Sequence, residues 1–202
     1  MIENAAAWVG NRRVPLDKDG SMKLRHVKVN KLLNASGMSL AQLAEAIADD
    51  SLNAAQAEAA LKNWLVGRDH PRCRTKVLER IAKALNVEIR EIARFTSEVR
   101  YHRGSPRKAR LVADLIRGKS VDQAMSLLSF SPKRASLNLK KALAAAVADA
   151  ELNQADITSL VVTESRVDEG PRMKRFQPKD RGRAHPIIKA MSHITIGVEE
   201  KN

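Results

Sequence analysis

The stretch Val167 to Val198, VDEGPRMKRFQPKDRGRAHPIIKAMSHITIGV, decides how the second half of the chain is read, because it sets a long basic segment between two strand-like ends. On the entry side Leu160, Val162, Ser165 and Val167 mark one face of an extended run; on the exit side Ile194, Ile196 and Val198 alternate with Thr195, Gly197 and Glu199. Alternation of this kind predicts strands with one buried face. Between them Gly170-Pro171, Pro178 and Gly182 interrupt any helix and any central strand. The prediction is an extended hairpin at about 165–192 whose far end projects beyond a globular base. Arg172, Lys174, Arg175, Lys179, Arg181, Arg183 and Lys189 stand against one acid between the two ends, Asp180. So dense a run of cations attracts a polyanion and needs a partner to order it. A solvated, mobile loop is the alternative reading.

The whole chain points the same way. Its 202 residues carry a formal charge of +13, with 44% hydrophobic residues, which suits one large or two small globular domains. Residues 99 to 202 hold 20 Lys/Arg against 11 Asp/Glu, and residues 1 to 98 hold 16 against 12, so the expected polyanion site is mainly C-terminal. The hairpin lacks the apolar face of a membrane anchor, which leaves nucleic acid as the expected partner. A lone cysteine, Cys73, suits a reducing compartment. The start, MIENAAAWVGNRR, lacks a signal-peptide pattern and no run reaches about twenty apolar residues, so a cytoplasmic location without membrane contact is expected.

Upstream of the strands the period changes to that of helices. Ser105 and Pro106 open one with Ala109, Val112, Ala113 and Ile116 on one face, ending at Gly118; Ser120 and Gln123 cap a second with Val121, Ala124, Met125 and Leu128 inward. Ser131-Pro132 opens a third, with Ala135, Leu139, Ala142, Leu143, Ala146 and Ala150 as its stripe. Three helices on a small antiparallel sheet make an α+β domain, 98–202. Arg100, Arg103, Arg107, Lys108 and Arg110 follow one another without an acid among them. Phosphate contacts there position a domain without reading sequence. An aromatic content of 3% argues against a base-stacking platform, so a folded RNA recognised by shape and phosphate is expected.

Three motifs then resemble one family in its order: SPRKARLVADLIRGKSVDQAMSLL (Ser105 to Leu128), VDEGPRMKRFQPKDRGRA (Val167 to Ala184) and SHIT (Ser192 to Thr195). They are similar to large-ribosomal-subunit protein L twenty-two of the bacterial type, over about residues 99–202. The resemblance implies a structural, non-enzymatic constituent of the large subunit that binds rRNA. It implies a hairpin, about Gly170 to Pro186, lining the nascent-peptide exit tunnel, with neighbouring ribosomal proteins and the nascent peptide as further partners. The rRNA-binding candidates are Arg103, Arg107, Lys108, Arg110, Arg117, Lys119, Lys174, Arg175, Lys179, Arg181, Arg183 and Lys189. The hairpin residues are Gly170, Pro171, Met173, Phe176, Pro178 and Gly182, with Met173 and Phe176 facing the tunnel or packing between bases. The chain departs from the family's usual pattern at Asp180, Pro186, Ala190 and Met191. An assembly factor with the same RNA chemistry is a second reading.

The first half reads differently. Residues 1–24 have no apolar period and are expected to be a flexible tail. Residues 25–97 read as five short helices. Val29, Leu32 and Leu33 lead to Gly37; Ser39 and Gln42 form a capping box before Leu40, Leu43, Ala44 and Ile47; a third helix covers Ala54 to Leu65; Thr75 caps a fourth with Leu78, Ile81, Ala82 and Leu85; Ile89 and Ile92 mark a fifth. Leu43-Ala44-Glu45, Trp64, Gly67-Arg68, Pro71 and Ile81 to Val87 resemble the helix-turn-helix domain of Cro and phage repressors. That resemblance implies an all-α bundle in which Gln56, Lys62, Asn63 and Arg68 could touch nucleic acid, and it keeps a DNA-binding regulator as the alternative function.

Other chemistry finds no pattern. Gly118-Lys119-Ser120 lacks the earlier glycine and the preceding strand of a phosphate loop. His26, His70, His102, His185 and His193 have no metal-ligand spacing, and His102 is expected to contact RNA. No nucleophile elbow, dinucleotide fingerprint or cofactor motif is present, so neither enzymatic activity nor a cofactor is expected.

Overall fold

A computed structural model describes residues 8–9, 12–13, 22–49 and 52–201. The chain forms two compact units, 1–87 and 88–202.

Most of the expected tail lies outside the described residues. Within it, β1 (Trp8–Val9) pairs with β2 (Arg12–Arg13), and β3 (Met22–Leu24) is extended with Met22 buried, so the end of the tail has regular structure. Four helices follow in the first unit: α1 (His26–Ser36), α2 (Leu40–Ile47), α3 (Ala54–Leu65) and α4 (Thr75–Leu85). Their apolar stripes meet in one core of Val29, Leu33, Leu43, Ile47, Leu61, Trp64, Leu78 and Ile81. The capping box forms as expected, with Ser39 Oγ accepting from Gln42 N at 3.3 Å and Gln42 Oε1 from Ser39 N at 3.0 Å. Thr75 does not cap: it is the first helical residue, and Arg74 occupies the cap position without a side-chain bond. Arg80 closes α2 from α4, donating to Ile47 O at 3.0 Å and pairing with Asp49 at 2.5 Å, which satisfies a carbonyl that the helix end leaves open.

The second unit begins earlier than the expected boundary at 97/98. α5 (Ile89–Ile92), expected as the fifth helix of the bundle, belongs here with Ile92 buried, and it runs directly into β4 (Ala93–His102). β4 carries a strand signal that the helical reading obscured, since Ala93, Phe95, Val99 and Tyr101 alternate with Arg94, Thr96, Glu98 and Arg100. Next come α6 (Pro106–Ile116), α7 (Val121–Phe130), α8 (Arg134–Leu152), a 3-10 turn (Ile157–Ser159) and β5 (Leu160–Glu169). A ribbon of β6 (Met173–Pro178) and β7 (Ala184–Lys189) then leads to β8 (Ser192–Glu200). β8 lies between β4 and β5, antiparallel to both.

One face of this sheet carries the helices. α8 packs on β4 and β8, and α6 on β5, burying Ala109, Val112, Ile116, Leu139, Leu143 and Ala146 against Phe95, Leu160, Val162, Ile194, Ile196 and Val198. The small residues of the α8 stripe allow this close approach. Ser105 holds the cap position of α6 without making a side-chain cap bond, whereas Ser120 accepts from Gln123 N. α8 starts at Arg134 rather than at Ser131-Pro132, because Ser131 still closes α7 and its carbonyl accepts from Ser136 Oγ at 3.1 Å. Met125 is only half-buried. In β5 a register shift between Val162 and Glu164 lets Leu160, Val162, Ser165 and Val167 all turn inward despite their broken parity.

The expectation of one buried face fails for β8. Thr195 and Glu199 are buried as well, and Glu199 belongs to a charge cluster on the outer side of this central strand. Arg94 pairs there with Glu199 and, at 3.2 Å, with Glu164, tying three strands together. Its stem crosses Gly197, where a Cβ would lie 3.1 Å from Arg94 Cδ and from Glu164 Cβ.

Candidate nucleic-acid interface

The hairpin grows out of the sheet at a pinned base. Gly170 N donates to Met191 O at 2.8 Å, and a side chain at 170 would lie 3.2 Å from the Met191 carbonyl and from His193 Nε2. Only glycine lets the two chains close there without displacement. Beyond this point no residue of β6 or β7 is buried. Their pairing runs from Met173 opposite Lys189 to Pro178 opposite Ala184. A short turn at Asp180–Gly182 closes the tip, with Arg181 at φ 56° and Gly182 at φ 70°, and Lys179 N donates to Arg183 O at 2.7 Å.

Register then assigns the faces, since paired residues of an antiparallel ribbon share a side. Lys174, Phe176, Pro178, Ala184, Pro186 and Ile188 lie on one face; Met173, Arg175, Gln177, His185, Ile187 and Lys189 lie on the other. The first face is mainly apolar yet open, with Phe176 75% and Ile188 59% exposed. Sequence reasoning did not find this face because parity across a hairpin depends on where the tip turns.

All the hairpin cations are exposed. Arg172 pairs with Glu169 at 3.3 Å, and Arg175 donates to Lys174 O at 2.8 Å. Among the described residues Lys174, Arg175, Lys179, Arg181, Arg183 and Lys189 meet no carboxylate in an ion pair, and Asp180 meets no cation. The acid at the tip therefore leaves the neighbouring charges available. A cleft of about 310 Å³ opens at the hairpin base, lined by Arg107, Arg172, Gly170, Ile188 and Met191 among others.

The candidates on and around α6 separate into two groups. Arg103, Arg107, Lys108, Arg110 and Arg117 are exposed and Lys119 is half-buried. Arg110 Nε donates to Val167 O at 3.2 Å; Arg117 donates to Ser165 O at 2.6 Å and pairs with Asp114 at 2.8 Å. These two guanidiniums fasten α6 to β5, so their role is partly structural. Among the described residues Arg103, Arg107 and Lys108 have no such tie, and all three are exposed. Lys119 sits in the turn that docks on β5 through Gly118 N to Val162 O and Val162 N to Lys119 O, at 2.8 and 2.9 Å.

His102 corrects an expectation. It is 6% exposed, not a surface group for RNA. Parity along β4 would place it outside; the register shift after Val99, with Tyr101 at φ 57°, turns it inward. Asn138 Nδ2 meets its Nδ1 at 2.5 Å, and burial, helped by the Arg134 charge, lowers its pKa below the ordinary value. His193 remains on the outer side, where its Nδ1 accepts from Tyr101 N at 3.3 Å and its ring meets that of Tyr101 edge-on.

In the first unit the four nucleic-acid candidates are not equivalent. Gln56 and Arg68 are exposed. Lys62 pairs with Glu58 at 2.8 Å, and Asn63 Nδ2 donates to His70 O at 3.0 Å. Asn63 is therefore occupied within the unit, which leaves α3 few groups with which to read base edges. Among the described residues no group of three His, Cys, Asp or Glu side chains could hold a metal, and no helix is long and apolar enough to cross a membrane.

The hairpin with its exposed cations rises from β5 and β8, and a family model matches this part of the chain. The model of Ribosomal protein L22p/L17e matches residues 97–199. The chain belongs to this family. The match covers β4 from Ser97, the three helices, the hairpin and nearly all of β8. L22p/L17e proteins are structural and non-enzymatic, and membership gives the chain a place in the large ribosomal subunit and in translation, in association with rRNA and other ribosomal proteins.

Proposed function

We propose that the second unit binds large-subunit rRNA through two surfaces, the exposed cations at the start of α6 and the β6–β7 ribbon, and that the ribbon reaches the wall of the nascent-peptide tunnel. The observation that carries this reading is the ribbon itself: six exposed cations without ion-pair partners among the described residues, three on its strands and three at its tip, where no residue is buried. Such a segment cannot bury enough apolar area to hold itself, so its order comes from a partner. Phosphates supply both the charge and the shape. Lys174, Arg175, Arg181 and Arg183 would neutralise backbone that otherwise repels as RNA folds, and Arg103, Arg107 and Lys108 would orient the globular base. The apolar face with Phe176, Pro186 and Ile188 suits stacking on bases or the tunnel lumen. The activity is architectural, in the cytoplasmic ribosome, with neighbouring ribosomal proteins and the nascent peptide as further contacts.

Crosslinking protein to nucleic acid in living cells, with identification of the joined peptides, tests this. Peptides between Met173 and Arg183 are expected on large-subunit rRNA. Their absence, with crosslinks confined to other molecules, would overturn the reading.

A further inference from the structure

The family match begins at residue 97, and the first unit carries a charged surface that the ribbon does not account for. It is the connection between α3 and α4 together with the first two residues of α4, GRDHPRCRTK, Gly67 to Lys76. Arg68, His70, Arg72, Arg74 and Lys76 are all exposed along it. Asp69 is its one acid, and Asp69 Oδ1 accepts from Cys73 N at 3.1 Å. Arg68, Arg74 and Lys76 meet no carboxylate among the described residues.

This connection is rigidly held. Gly67 N donates to Trp64 O and Arg68 N to Asn63 O, both at 2.9 Å, closing α3. Asn63 Nδ2 then reaches His70 O at 3.0 Å, and the Trp64 indole N–H donates to Pro71 O at 2.5 Å. Cys73 anchors the far side, buried to 1% exposure, with burial and the nearby Asp69 charge pushing its thiol up to about 12, so it remains a neutral packing group. Gly67, at φ 89°, lies against the His26 imidazole, where a Cβ would approach to 3.4 Å, and Asn30 Nδ2 ties α1 to Leu65 O at 3.0 Å. These ties lie within the unit, while Arg68, Arg74 and Lys76 are exposed. A preorganised row of this kind binds a polyanion without first losing loop entropy.

We propose that the Gly67–Lys76 segment is a further rRNA-binding surface, beyond the two on the second unit, one that contacts phosphates without reading sequence. Phosphate contact follows from the groups present: guanidinium and ammonium donors stand on the loop, while α3 has Asn63 turned inward and Lys62 paired with Glu58. RNA is favoured because the chain carries an L22p/L17e unit, which places the loop at high effective concentration beside rRNA. In this respect the inference rests on the ribosomal reading.

The test uses the full chain with R68Q/R74Q/K76Q, binding to large-subunit rRNA between 50 and 200 mM salt. Without these three cations to neutralise phosphates, the variant's affinity should fall about 20- to 40-fold less over that range than the wild type's. R68K/R74K should retain the wild-type slope. An unchanged slope in the triple variant overturns the proposal, as does crosslinking of wild-type Arg68–Lys76 peptides in cells to chromosomal DNA or to protein instead of rRNA. The crosslink requires no variant, so misfolding cannot hide the answer. A parallel K174Q/R175Q/R181Q/R183Q chain separates this segment from the hairpin: a slope altered only by the Arg68–Lys76 variant removes the hairpin from binding, and a slope altered only by the hairpin variant removes the segment.

Discussion

Replacing Arg94 with Met should loosen the sheet from which the hairpin springs. Arg94 is 25% exposed, Glu164 19% and Glu199 10%, so its two ion pairs are largely shielded from water. At an effective dielectric of about 20, charges roughly 3 Å apart attract by about 5 kcal/mol, most of which offsets the desolvation of the three groups. Removing the cation leaves that desolvation in place and sets two carboxylates against each other across Gly197. A loss of about 2–4 kcal/mol is expected, below the value for a fully buried pair because water still reaches the cluster. Since the chain has two units, a single melting midpoint would blur the effect. Amide hydrogen exchange along β8, from Ile194 to Val198, is the appropriate assay, and R94M should accelerate it about 30- to 1,000-fold. The double variant R94M/E199M should recover at least half of the loss, because it removes one of the two carboxylates that face each other once the cation is gone. Exchange within threefold of the wild type, or further loss in the double variant, would refute the argument.

Three further outcomes follow from the same structure. Neutralising Lys174, Arg175, Arg181 and Arg183 together should lower the salt slope of rRNA binding by about 3 to 4, read by filter binding; a slope within half a unit of the wild type would take the ribbon out of the interface. His102 has its pKa depressed by burial and by Arg134, so the folded state keeps it neutral where the unfolded chain would protonate it. Its contribution is complete above about pH 6.5 and is lost as pH falls through the folded value, so H102N should flatten the unfolding profile between pH 7 and 5; parallel profiles would count against it. Gly104 lies against the same ring, where a Cβ would sit 2.6 Å from His102 Nε2. G104A should cost about 1–3 kcal/mol in denaturant unfolding, and a neutral result would mean that the ring moves freely.

Much of the architecture was legible in the chain because it rests on local rules. The stripes of α6, α7 and α8, the strand ends of the hairpin and its breakers all depend on period and on backbone restrictions that neighbouring residues impose. Free cations on the hairpin were legible for a related reason, since a long run with one acid has no local means of pairing. What went unread depends on pairing across the chain. β4 was hidden because its alternation abuts the short helix α5, and the unit boundary moved with it. His102 was misplaced because a register shift near Tyr101 reverses parity. The sharing of Arg110 and Arg117 with β5 carbonyls is a contact between residues 57 and 48 positions apart, which no local pattern announces.

By itself, then, the sequence determined most of the elements, the sign and density of the charge, and the family to which three ordered motifs belong. Those properties follow from each residue's own chemistry and that of its near neighbours. Tertiary structure alone decided which face of the ribbon is apolar, which arginines are tied down and which are free, that Asn63 turns inward, and that Gly67 to Lys76 is a rigid basic surface. Each of these depends on which distant groups meet, and a hydrogen bond or ion pair changes what a side chain can do only once its partner is in reach.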